Sequence, residues 1–357
     1  MTLPSHGSNP HYLYEALKIE MPEGVLDFSA NINPLGPPLR IKEQWAGFFE
    51  GILQYPDPHA IELTKSIAKK EALPEQSVLV GNGGAEIIML VANGLANQRV
   101  LIIQPAFAEY AEACLAAGCK VDFHQLDAPE WQLDLERLIP RFPEYDAVFL
   151  CTPNNPTGVS FNRDAVRELI MECQKADCLV VLDEAFYDFT EDAFSYASLI
   201  NAFPHLLILR SMTKIFAIPG LRLGYLLAAP DIIKRVRNYK PHWSVNHVAL
   251  EVGKICLAEE AYMRKTRDYI AWQKQKLFRF YEEQGLNVSA STVNFYLVKD
   301  ESLSLFPFLL KKGIVPRHTN NFPGLDGVWL RFAVKSEHDN EALMEGVRQW
   351  RKQGSVL

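Results

Sequence analysis

Lys214 closes the run Ser211-Met212-Thr213-Lys214, which follows Leu206-Leu207-Ile208-Leu209 and precedes Ile215-Phe216-Ala217-Ile218. A primary amine set among apolar groups loses hydration, which disfavours its charged form and frees the lone pair to attack a carbonyl. Ser211 before it and Arg222 eight residues after it offer a hydroxyl and a guanidinium to a phosphate. The segment suits a ligand that carries both an aldehyde and a phosphate.

Three further stretches carry polar groups of the right kind. Gly81-Asn82-Gly83-Gly84-Ala85-Glu86 follows Val78-Leu79-Val80 and opens a helical pattern, where free backbone N–H groups can cradle a phosphate. Glu86 stands where a dinucleotide fingerprint requires its third glycine, which argues against that ligand. Cys151-Thr152-Pro153-Asn154-Asn155-Pro156-Thr157-Gly158 reads as a turn in which Asn155 can reach a ligand oxygen. Leu179-Val180-Val181-Leu182 runs into Asp183-Glu184, and a carboxylate buried at a strand end is costly unless it meets a cation such as a protonated ring nitrogen. Each stretch alone has an ordinary reading as a turn or a cap. Their order along one chain is much less ordinary.

Elements must bring these groups together. The apolar runs Val78–Val80, Val100–Ile103, Ala147–Cys151, Leu179–Leu182, Leu206–Leu209 and Tyr225–Leu227 have the texture of strands buried on both faces, which predicts a largely parallel sheet covered by helices. In such sheets ligands lie beyond the carboxyl ends of the strands, where the polar residues fall. Ala85–Ala96 and Asp164–Lys175 have helical spacing. His247–Gln284 is a charged amphipathic stretch of more than one helix, followed by a strand at Val293–Val298, a helix at Ser304–Lys312, a strand at Trp329–Val334 and a closing helix. The fold class is therefore α/β. An N-terminal arm (1–40), irregular through Asn33–Pro38, leads into a large domain (41–240) and a smaller α+β domain (241–357).

The 357 residues are 48% hydrophobic with a net charge of −7, enough for a sizeable core and without general attraction to nucleic acid or anionic membranes. Six cysteines without a Cys-x-x-Cys pair point to neither a disulfide framework nor a metal site. With no signal-peptide pattern at the start and no long apolar span, the expected location is the cytoplasm.

His6-Gly7, Asp27-Phe28-Ser29-Ala30-Asn31-Ile32-Asn33-Pro34-Leu35-Gly36, Pro105-x-Phe107-Ala108-Glu109-Tyr110, Asp183-Glu184-Ala185-Phe186, Ile218–Tyr225 and Trp243-Ser244-Val245-Asn246 extend the pattern over nearly the whole chain. With the lysine and Asn-Pro segments, they make the chain similar to the fold-type I pyridoxal-phosphate (PLP) enzymes of the aminotransferase superfamily. Within it the motifs resemble the branch that decarboxylates a phosphorylated amino acid for cobalamin biosynthesis, with a histidinol-phosphate-type aminotransferase as the alternative. The resemblance implies that Lys214 holds PLP covalently, Asp183 pairs with its ring nitrogen, Asn155 bonds its phenolic oxygen and Phe107 stacks on the ring. It gives Gly84, Ala85, Ser211 and Arg222 to the cofactor phosphate, and Tyr55 to the phosphate in a partner subunit, hence a homodimer with shared sites. It gives Arg331 to the substrate carboxylate, and His6, Gly7, Asn31, Asn155 and Arg317 to the substrate. One departure stands out: aminotransferases usually carry tyrosine three residues after the aspartate, and here the position is Phe186.

A rival set, Ser211-x-x-Lys214, Ser244-Val245-Asn246 and Lys311-Lys312-Gly313, imitates the ordered motifs of serine acyltransferases, but its third motif lacks the hydroxyl residue.

Overall fold

Seven strands form the central sheet of the computed structural model, which describes residues 3–354. In chain order they are β1 (Val78–Gly81), β2 (Arg99–Gln104), β3 (Lys120–Gln125), β4 (Ala147–Cys151), β5 (Leu179–Asp183), β6 (Leu206–Ser211) and β7 (Gly224–Leu227). Their spatial order is β1-β7-β6-β5-β4-β2-β3. The four pairings from β6 to β3 are parallel, whereas β7 runs antiparallel to both β6 and β1.

Alternation along the strands divides the core in two. Val148 and Leu150 of β4 pack on one side with Leu169 and Ile170 of the helix Arg163–Lys175 and Leu63 and Ile67 of the helix Ile61–Glu71. Ala147, Phe149 and Cys151 pack on the other with Ile87 and Ile88 of the helix Gly83–Gly94 and Tyr110 of the helix Glu109–Ala116. Each buried large aliphatic side chain contributes about 1.5–3 kcal/mol, so sheet and helices hold each other in place. The edge strand β3 breaks the apolar pattern expected of a strand here. Lys120 and Gln125 are exposed and Asp122 is half-buried, because this edge has helices over only part of its surface.

Past Trp243 the amphipathic stretch forms two helices, as expected, His247–Leu257 and Glu260–Glu283, divided at Ala258-Glu259. A smaller antiparallel sheet orders Arg317–His318, β9 (Trp329–Ala333) and β8 (Phe295–Lys299). The opening segment is more regular than its prolines imply. It contains the helix Pro10–Leu17, with proline at the tolerated first turn, and the short strand Leu26–Asp27, which pairs in parallel with Ile314–Val315. Tyr14 donates its hydroxyl to the Leu310 carbonyl at 2.7 Å, and the Ala333 N–H donates to the Phe28 carbonyl at 2.9 Å. The first residues are thus stitched to the last third of the chain. No helix among the described residues is long and apolar enough to cross a membrane.

Candidate active site

A cavity of about 300 Å³ opens beyond the carboxyl ends of β4, β5 and β6. Lys214 lies in the short helix Met212–Ile215, which begins as β6 ends. Burial, then the charges of Arg222 and Arg331, push its amine down to about 8, while Asp183 works the other way. Free base is therefore available near neutral pH. Asp183 ends β5, buried. Desolvation raises its carboxyl, opposed by the Tyr110 hydroxyl, which donates to Oδ2 at 2.5 Å, by the Ala185 N–H, and by Lys214.

The phosphate-type groups converge at one end. Gly83 has φ +81°, and a Cβ there would meet Arg222 Nη2 at 2.7 Å, whereas a Cβ on Gly84 would point into open space. That space lies at the N-terminus of the helix Gly83–Gly94, where N–H groups and the helix dipole favour an anion. Ser211 and Thr213 share a hydroxyl hydrogen bond of 2.8 Å and both line the cavity.

Two guanidiniums occupy the other end, both buried. Arg331, on β9, donates to the Asn155 side-chain oxygen and to the Ser29 carbonyl at 2.8 Å, and its Nε has no partner. Arg317 donates to the carbonyls of His318 and Ser5 and to Asn321 Oδ1. Neither forms an ion pair with an acid among the described residues, and burial pushes them down to about 9 and about 10. A buried, uncompensated guanidinium is costly, and an anionic ligand relieves that cost. His6 reaches in from the arm, its Nε2 3.2 Å from Glu109 Oε1 and its ring edge-on to Phe107.

Lys214, Asp183, Asn155, Phe107, Gly84, Ala85, Ser211, Arg222, His6, Gly7, Asn31, Arg317 and Arg331 all line this cavity. Tyr55 does not. It is 83% exposed and packs against Trp243, with ring centroids 5.0 Å apart. Tyr110, Thr213, Ser29 and Glu109 also line the cavity without having been singled out from their local spacing. The rival acyltransferase set disperses: Ser244 donates to Glu86 Oε2 at 3.1 Å, and neither it nor Lys311 lines the cavity.

Pyridoxal phosphate fits these groups on three counts. An amine with an accessible lone pair faces the cavity, a buried carboxylate without a salt bridge can meet a ring cation, and a glycine-lined helix start has room for a phosphate.

Comparison with known proteins agrees with that chemistry. The family model for class I and II aminotransferases matches residues 23–349. Threonine-phosphate decarboxylase of Salmonella typhimurium is 36% identical over 352 residues, 96% of each chain. The crystal structure of the histidinol-phosphate aminotransferase from Clostridium acetobutylicum superposes with a TM-score of 0.87 at 30% identity, covering 92% of this chain and 100% of that one. That of L-threonine-O-3-phosphate decarboxylase from Porphyromonas gingivalis gives 0.81 at 25% identity, covering 91% and 99%. A family match that spans the sheet, the lysine turn and the C-terminal strands has one meaning: the chain belongs to the class I and II aminotransferase family.

Proposed function

We propose that the protein is a PLP-dependent carboxy-lyase that converts L-threonine O-3-phosphate to (R)-1-aminopropan-2-yl phosphate and CO2 for cobalamin biosynthesis. The observation that carries this reading is the pair of buried guanidiniums that form no ion pair among the described residues, Arg331 and Arg317, in one cavity with Lys214. A substrate with a carboxylate and a phosphate at its two ends compensates both. The similarity to a threonine-phosphate decarboxylase over 96% of each chain supports it.

When bound, PLP supplies an aldehyde that condenses with amines and an electron-poor ring that stabilises negative charge at the substrate Cα. Asp183 would face the ring nitrogen and keep its proton in place. Gly84, Ala85, Ser211 and Arg222 would hold the cofactor phosphate, Asn155 would reach its phenolic oxygen, and Phe107 would cover one ring face. Arg331 takes the substrate carboxylate, while Arg317, His6, Gly7 and Asn31 take its phosphate end. Two fixed anion sites, at Arg331 and Arg317, would hold the substrate in one orientation, and orientation of this kind selects the reaction. Lys214 Nζ then delivers the proton to Cα after CO2 leaves. Phe186 lines the cavity where a tyrosine would place a hydroxyl, and its ring packs edge-on against Phe295 at 4.8 Å, so this wall is apolar.

Residues 41–240 form the cofactor-binding domain in this reading and 241–357 the small domain, with 1–40 serving both the latter and the substrate site. The protein acts in the cytoplasm as a homodimer, in which Tyr55 reaches the cofactor phosphate of a second copy.

One observation favours a second reading, a histidinol-phosphate-type aminotransferase: that enzyme from Clostridium acetobutylicum superposes more closely than the Porphyromonas gingivalis decarboxylase. Threonine phosphate alone, and separately histidinol phosphate with 2-oxoglutarate, distinguish them. CO2 release from the first supports the decarboxylase. Glutamate formation from the second, without CO2 from the first, overturns it.

A further inference from the structure

Behind the cavity, on the opposite face of the same strands, lies a group of charges more deeply buried than those within it. Side chains alternate along an extended strand, so Asp183 and Ser211 face the cavity while their neighbours Glu184 and Arg210 face away. Arg210 Nη2 lies 3.0 Å from Glu184 Oε2 and 3.4 Å from Glu71 Oε2, and the Arg210 and Glu184 side chains are each 1% exposed. Ser195 Oγ donates to Glu184 at 2.9 Å and accepts from Arg210 at 2.6 Å. The Tyr187 ring covers the guanidinium, its centroid 3.5 Å from Cζ, and the Tyr225 hydroxyl donates to Glu71 at 2.9 Å. One guanidinium therefore joins β6, the end of β5, the helix Ile61–Glu71, the loop holding Tyr187 and Ser195 and, through Glu71 and Tyr225, β7.

Buried ion pairs of this kind add little stability compared with apolar packing of the same volume, so their use here points to geometry. We infer that Arg210 and Glu184 are positioning residues, which clamp the ends of β5 and β6 from behind and so fix Asp183 relative to Lys214. The inference rests on Asp183 and Lys214 being the partners of the cofactor. Tyr187 has its own place in it: the phenol absent from position 186 stands one residue on and on the far face, where it cradles the clamp.

The test is a visible-absorbance titration of the PLP-loaded protein, with kcat and KM measured alongside. Asp183, Arg222 and Arg331, which face Lys214 from other elements, are unchanged in every variant. Glu184→Gln and Arg210→Met should shift the pH midpoint of the visible band by about half a unit or more. They should also lower kcat about tenfold with KM little changed. Arg210→Lys, which keeps a cation, should recover part of both effects. Leu169→Ala, a cavity in the helix Arg163–Lys175, should lower Tm and leave the midpoint in place. An unmoved midpoint in Glu184→Gln and Arg210→Met, with Tm lowered as in Leu169→Ala, overturns the inference. If those variants do not fold, Ser195→Ala removes only the bridging hydroxyl and decides by the same readout. Absence of any visible band in the wild-type protein would overturn the cofactor reading and this inference together, a result distinct from an unmoved midpoint.

Discussion

The amine of Lys214 owes its reactivity to neighbours rather than to its own chemistry. An amine that titrates near 8 is about half free base at pH 8, against less than about 1% for an exposed lysine. In cofactor-free protein, the rate at which Lys214 condenses with PLP should rise through about pH 8 and level off well before pH 10, followed by the growth of the visible band. The same depression has a thermodynamic sign. The folded amine titrates at about 8 and the unfolded amine at its ordinary 10.5, so the unfolded chain binds more protons between these values. This group's contribution to stability therefore rises with pH across that window, by about 3 kcal/mol in all. Lys214→Met removes the charge. Its stability advantage over wild-type apoprotein in denaturant titrations should be largest at pH 7 and shrink toward pH 10; parallel curves would exclude the burial effect. Tyr110 acts beside this amine in a quieter way, since its hydroxyl helps keep Asp183 ionised when buried.

Among elements, the start of the helix Gly83–Gly94 is the most exacting. Gly83→Ala places a Cβ at positive φ and against Arg222, a backbone strain of about 1–2 kcal/mol, and should lower both stability and PLP affinity. Gly84→Ala meets no protein atom, so it should leave stability alone and lower PLP affinity about tenfold by filling the space for the phosphate. Fluorescence titration of apoprotein with PLP reads both, and normal affinity in Gly84→Ala would remove the cradle from the site. The strands that lead to these turns were legible because β4, β5 and β6 are apolar on both faces, and the candidate groups sit where such strands end. β3 was not legible, since Lys120, Asp122 and Gln125 face a partly uncovered edge. The direction of β7 was hidden as well: a short apolar run looks the same parallel or antiparallel. Arg210 stayed unnoticed because a charge inside an apolar strand does not announce which face it takes. Tyr110 and Thr213 joined the site only through the turns that carry them.

At the scale of the molecule, one face is unfinished. Trp45, Phe49, Ile52, Leu53, Tyr55 and Trp243 are all exposed, an apolar surface unusual for an isolated chain and suited to the proposed second copy. Leu53→Glu should convert the protein to monomer in sedimentation velocity and abolish most activity, because Tyr55 then has no partner site to complete. A wild-type protein that sediments as a monomer would reject this arrangement. The opposite ends of the chain are also bound to each other. Arg317 holds the Ser5 carbonyl across 312 positions, and Leu26–Asp27 finds its strand partner only at Ile314–Val315. In a growing polypeptide Leu13 and Tyr14 therefore stay undocked until Leu310 and Val315 have been made. Ligand capture by this pocket must wait for Arg317 and Arg331, and a chain truncated before Ile314 is left with residues 10–17 sticky and unanchored.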